Sequence, residues 1–224
     1  MKTKMILLTA AFGLTSALAL GSTIVGFEVN GVAGDVESVN AATLNSNLTA
    51  TPLVRSAELN PNAGANSFNS NGWNITDTFD LDAHYISFSF QANSGYFLSV
   101  DSLTYRMSSS NTAPNTGLWG YSINGGSFTL QDEFSITGTS DGTWSNLGIV
   151  DQIGTVEFRY WQYGSTAVGA SSTVSTGGTS RIRNLSGEDL VVTGSVTAIP
   201  EPGSLILMGI MGAAAFMVLR RKKA

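Results

Sequence analysis

From Thr23 to Val29 apolar and polar positions alternate, with Thr23, Val25, Phe27 and Val29 on one face and Ile24, Gly26 and Glu28 on the other. A period of two predicts an opening β-strand. Tyr85 to Phe90 repeats the pattern, Ile86, Phe88 and Phe90 pointing inward and Tyr85, Ser87 and Ser89 outward. Leu98 and Val100 share a face with Leu103, Tyr105 and Met107 only if the phase slips by one residue near Asp101 and Ser102, which predicts a bulge or a tight turn. Trp119, Tyr121 and Ile123 then run at period two into Asn124-Gly125-Gly126, after which Phe128 and Leu130 resume. This is the strongest hairpin signal in the chain. Val156, Phe158 and Tyr160 alternate against Glu157, Arg159, Trp161 and Tyr163, and the first set reads as core. Ile182 opens another strand after the Gly/Ser/Thr-rich stretch 164–179, and Leu190, Val192 and Val196 mark the last one.

Between the first two of these runs, residues 41–72 are rich in Asn, Ser, Ala and Thr and broken by Pro52, Pro61 and Gly64. That composition predicts an irregular covering segment with at most one short strand, near Leu53 and Val54. No stretch of the body carries a helical period, no internal repeat is present, and turn signals recur at strand-length intervals. The predicted fold class is all-β, an antiparallel β-sandwich.

The two ends follow different rules. Lys2 and Lys4 precede an apolar stretch from Met5 to Leu20, with Ala17-Leu18-Ala19 supplying the small residues a signal peptidase needs. Residues 1–19 therefore read as a helical secretory signal peptide, which leaves 20–198 as the exported domain. At the other end, Pro200, Glu201 and Pro202 punctuate the chain by removing two backbone donors. The uncharged run from Ser204 to Leu219 has 16 residues, a little under the roughly 20 that cross a bilayer core as a helix. The block Arg220, Arg221, Lys222 and Lys223 follows it and would stay on the cytoplasmic side, placing the body outside.

This tail, 199–224, resembles the PEP-CTERM sorting signal of exported bacterial proteins. The resemblance implies recognition at Pro200, Glu201 and Pro202 by a processing enzyme of the exosortase type. It also implies a transient membrane helix at about 204–219, retention by Arg220, Arg221, Lys222 and Lys223, and release to the cell surface or an extracellular matrix. The body has a weaker resemblance of its own. VEFRYWQYGS (156–165), a Gly-rich loop and GGTSRIRNLSGEDLVVTGSV (177–196) resemble the closing half of jelly-roll domains, which implies a jelly-roll-like arrangement of the sandwich.

Charge sharpens the picture. Outside the two ends the only cations are Arg55, Arg106, Arg159, Arg181 and Arg183, and the body has no lysine. Fifteen acids between Glu28 and Asp189 outweigh them, a surface that repels nucleic acid and anionic polymers. Cysteine is absent, so a hydrophobic core has to supply the stability that disulfides give many exported domains.

Chemistry is sparse. His84 is the only histidine and sits at a loop-to-strand junction. The acid pairs Asp80/Asp82, Asp132/Glu133 and Glu188/Asp189 could in principle serve glycoside hydrolysis, but all lie in turn-like sequence where solvated carboxylates are the default. Trp161 and Tyr163, on one face with Arg159, form a candidate platform for stacking sugar rings. No cofactor is indicated. Jelly-roll sandwiches of this kind often hold a structural calcium, and the resemblance points to Glu28 and Asn184 as candidate ligands. The reading is a non-catalytic surface or matrix protein. A carbohydrate-binding module acting on exopolysaccharide is the alternative, with a glycoside hydrolase behind it.

Overall fold

The computed structural model describes residues 21–200. The expected signal-peptide helix, the membrane helix at 204–219 and the basic block lie outside the described residues. In chain order the strands are β1 (Ser22–Phe27), β2 (Ser38–Val39), β3 (Thr43–Leu44), β4 (Leu48–Ala50), β5 (Leu53–Arg55), β6 (Asn60–Pro61), β7 (Ser67–Asn71) and β8 (Tyr85–Ala92). They continue as β9 (Tyr96–Ser109), β10 (Pro114–Ile123), β11 (Thr129–Leu130), β12 (Phe134–Ser135), β13 (Thr139–Gln152), β14 (Thr155–Ala167), β15 (Ser180–Arg183) and β16 (Leu190–Ala198).

They form two antiparallel sheets. One runs β3-β1-β16-β9-β15-β7-β6, with β13 on the other edge of β9; the second runs β11-β10-β14-β8-β5-β2, with β12 and β4 added to β10 and β8. Strand β9 is the spine of the first sheet. Residues 96–105 pair with β16, residues 107–109 with β15, and β13 runs along the opposite edge from Leu98 to Ser108. In the second sheet β14 is flanked by β10 and β8, so Phe158 lies between Tyr121 and Phe88.

The period-two faces meet where the alternation puts them. Ile86, Phe88, Phe90, Val156, Phe158 and Tyr160 from one sheet and Val25, Phe27, Leu98, Leu103, Met107 and Val192 from the other share one continuous core. Phe88, Phe90 and Phe158 stack with nearly parallel rings 5.5 to 6.2 Å apart. Phe27 meets Phe88 edge-on at 5.0 Å across the sandwich.

The phase slip near Asp101 is a bulge. Thr193 faces Ser102 and Gly194 faces Val100, so Asp101 has no partner on β16, and the β13 ladder jumps at the same place from Ser145 to Ile149. The hairpin after Ile123 also forms, Asn124 and Gly125 both at positive φ as its tight turn requires. Phe128 and Leu130, however, do not return to the core. Phe128 packs on the outer face and Leu130 is exposed.

Three expectations are corrected. The opening strand does not alternate cleanly, because its ladder with β16 is irregular between Thr23 and Val25, and Ile24 and Val25 are both buried. Residues 41–72 hold five short strands, β3 to β7, where at most one was expected. β3 to β6 are too short to show a period and β7 carries one apolar residue in five; β3 lies against the longer β1, β4 and β5 against β8, and β7 between β15 and β6. Part of that support is Arg55, whose guanidinium donates to Ser70 Oγ and to the carbonyls of Val36, Gly34 and Asn69, at 2.6 to 2.8 Å, and lies over the Phe68 ring. Burial lowers its pKa to about 10, so it remains charged at neutral pH. It joins β5 of one sheet to β7 of the other. Finally, β13 was not anticipated. It carries Asn146, Gly148 and Asp151 at positive φ, which scrambles any local alternation.

Removing the Phe158 ring is expected to cost about 3 to 5 kcal/mol, because a fully buried aromatic leaves a cavity its stacked neighbours cannot fill. Urea denaturation of Phe158→Ala against wild type measures this directly, and a loss under about 1 kcal/mol would mean the ring is not part of the shared core.

Candidate functional site

The outward face of β14 holds the candidate stacking platform, and its geometry is well defined. Glu157, Arg159, Trp161 and Tyr163 alternate with the core set, as the period requires, and Leu118 on β10 joins them. Arg159 pairs with Glu157 at 2.7 Å, donates to the carbonyl of Leu81 at 3.2 Å, and lies over the rings of Tyr85 and Phe128. Its charge is thus neutralised by the neighbouring acid and its flat face covered by aromatic surface.

The structure corrects the expectation of an open aromatic row. Trp161 is 2% and Tyr163 6% exposed. The loop 73–84 folds over them, inserting Phe79 with its ring 5.4 Å from each. Tyr85 and Phe128 close the sides. The loop is tied down at both ends. Near its start Gly164 N–H donates to Asn74 O, and the Asp77 carboxylate accepts from Ser165 N–H and Oγ–H, both at 2.7 Å. Further on, Arg159 grips Leu81. These hydrogen bonds, the Ser165 N–H foremost, hold the Asp77 carboxyl below its usual range. Tyr163 donates its hydroxyl proton to Glu133, and burial first, then this carboxylate, pushes the phenol well up, so it stays protonated. What the sequence reads as a platform is a second, smaller hydrophobic cluster. The signal for it was Phe79, an aromatic flanked by Asp77, Thr78 and Asp80 in the loop.

The calcium candidates, Glu28 and Asn184, are linked through Asn30. The Glu28 carboxylate accepts from Asn30 N–H, and Asn184 donates to the Asn30 side chain at 3.4 Å. The nearby buried carboxylate, Asp189, accepts from Val29 N–H and Leu185 N–H with its two oxygens and faces Arg106 at 3.8 Å. Calcium takes six to eight oxygens. Among the described residues no group of three or more acids, histidines or cysteines is gathered, and the Asn184 Oδ1 and Glu188 Oε1 oxygens are buried without a hydrogen-bond partner.

Nor do the remaining titratable candidates assemble. His84 sits at positive φ with Nδ1 2.7 Å from Gly72 O. The acid pairs are spread: Asp80 caps its own turn, Glu133 binds Tyr163, and Asp189 is locked in place as above.

Of the sorting residues, Pro200 is described. It directly follows Ile199, whose N–H donates to Gly95 O at 2.8 Å. Glu201, Pro202, Arg220, Arg221, Lys222 and Lys223 lie outside the described residues.

Comparison with known proteins identifies the tail. Residues 198–222 match the PEP-CTERM protein-sorting motif, so the chain carries that motif at its C-terminal end, beyond a body of two antiparallel sheets. No curated protein matches the chain. Among solved structures, TmCBM61 in complex with beta-1,4-galactotriose aligns over 67% of this chain and 90% of its own, at 12% identity and a TM-score of 0.30.

The Asp77 latch yields a pH prediction. Its folded pKa lies below the ordinary value of about 4, so its contribution is complete above that value and lost as pH falls through the folded one. Hydrogen exchange of residues 73–84, corrected for intrinsic rates, is expected to accelerate on acidification. In Asp77→Asn it should already be fast at neutral pH and gain little from acid.

Proposed function

We propose that the body is an exported, non-catalytic structural or adhesive unit of the cell surface or extracellular matrix. It is held at the inner membrane by its tail and then released by an exosortase-type enzyme. The observation that carries this reading is the sorting motif at 198–222, which begins on the last residue of β16. A body made to be sorted needs to withstand the outside without disulfides. The shared aromatic core and the Arg55 clamp serve that end.

The surface suits adhesion by many weak polar contacts. Ser, Thr and Asn make up half of the exposed positions of β13, and the arginines are largely engaged with acids or carbonyls. Sugar binding at Arg159, Trp161 and Tyr163 is the lesser reading, since the loop 73–84 would have to leave first. The motif's partners would be signal peptidase at the front and the processing enzyme at the tail.

Glu201 is the one side-chain charge between Asp189 and Arg220, and a proline on each side of it disfavours regular secondary structure there. Glu201→Gln keeps the shape and removes the charge. Release is then expected to slow while export continues, measured as the mass and amount of protein in culture medium and in membranes. Wild-type protein that keeps its whole basic tail in the membrane, in a cell with the processing enzyme, would sink the proposal.

A further inference from the structure

The strand registers place five chain segments at one end of the sandwich. The β8–β9 turn, Asn93 to Gly95, joins strands whose last pairs are Leu48 with Ala92 and Tyr96 with Ala198. Its Asn93 N–H donates to Asn47 O, which brings in the loop from Asn45 to Asn47. The end of β13 from Val150, where Gln152 pairs with Leu98, and the β13–β14 turn, Ile153 and Gly154, precede the pairing of Thr155 with Gln91. Asn124 of the β10 hairpin is tied to Thr155 in both directions, N–H to O and side chain to N–H. The fifth segment is the exit itself, Ile199 and Pro200, held by the hydrogen bond from Ile199 to Gly95.

Three properties coincide at this end. It is nearly free of charge: Asp151 alone of the fifteen acids, and none of the five arginines, falls within these segments. It carries Ile153 and Val150, at 69% and 61% the most exposed large apolar side chains among the described residues, and Ile199 beside them at 38%. It is also where the chain leaves for its apolar tail. Four residues, Pro200 to Gly203, separate the last body hydrogen bond from the start of the uncharged run at Ser204. Fully extended they reach about 14 Å. Strand β1, at the other junction, enters the sheet heading away from the same end, since it is antiparallel to β16.

We infer that this end of the sandwich is a membrane-facing surface, and that before release Val150, Ile153 and Ile199 rest in the headgroup region of the bilayer into which the tail is inserted. The inference rests on the sorting reading of the tail. The short tether leaves the body little choice but to present one face to the lipid. An acidic body pressed against anionic headgroups would be repelled, and acids displaced from that face toward the flanks and the far end remove the penalty. Apolar side chains standing clear of the fold gain by entering the interface, where isolated polar Asn and Ser groups stay hydrated. The contact would also fix how the Pro-Glu-Pro segment is offered to a membrane-bound enzyme, close to the surface and on one side of the body.

The chain has no cysteine, so single probes can be placed cleanly. In protein keeping its tail, Ile153→Cys and Leu185→Cys are labelled with an environment-sensitive fluorophore. Leu185 is an exposed apolar side chain preceding β16, whose first residue pairs with Tyr105, nine positions along β9 from Tyr96 and roughly 30 Å away. Both proteins are reconstituted into phosphatidylethanolamine–phosphatidylglycerol vesicles containing a spin-labelled lipid and floated on a density gradient. Blue-shifted emission and several-fold stronger quenching at 153 than at 185 are expected. Flotation with equal quenching at the two positions would overturn the membrane-facing surface while leaving the tail's role intact. Failure to float would overturn the anchoring itself and the inference with it.

Discussion

Everything in this molecule depends on one layer of aromatic rings trapped between two sheets. With no cross-link available, burial of Phe88, Phe90 and Phe158 against Phe27 and the aliphatic face of β9 is the interaction that turns two curved sheets into one body. The layer also dictates register. A slip of one residue in β8 or β14 would turn the stacked rings out to solvent and bring in Ser87, Ser89, Glu157 and Arg159. The long strands thus act as templates, and of the short strands of residues 41–72, β4 and β5 are held in place by β8.

This hierarchy explains what could be read from the sequence. Strands with a full period-two face, β8, β10 and β14, were legible, and so was the bulge at Asp101, because a break in phase inside an otherwise regular strand has few other solutions. The five short strands were not legible: β3 to β6 have two or three residues, too few to display a period, and β7 carries one apolar residue in five. Strand β13 was hidden for another reason: three residues at positive φ interrupt it, and only Leu147 and Ile149 are buried.

The outward face of β14 makes the same point for the candidate site. Local pattern placed Trp161 and Tyr163 correctly on the side away from the core, and Arg159 beside Glu157. It could not tell that Phe79, some eighty residues earlier, would cover them, because that contact is decided by where a loop lands. The few cations follow a similar logic. Arg55, Arg106, Arg159 and Arg183 each meet a specific acid or set of carbonyls, so scarcity of positive charge goes with fixed placement.

Strand β13 runs 14 residues along the outside of its sheet and pairs, among the described residues, with β9 alone. A long unpaired edge is an invitation for another chain to continue the sheet. Such an edge could seed fibres. Its left-handed residues at Asn146, Gly148 and Asp151 turn the second half of the strand away from the straight path a newcomer would follow. The kinks that concealed the strand from sequence reading therefore make the second half of this edge a poor template for a further strand.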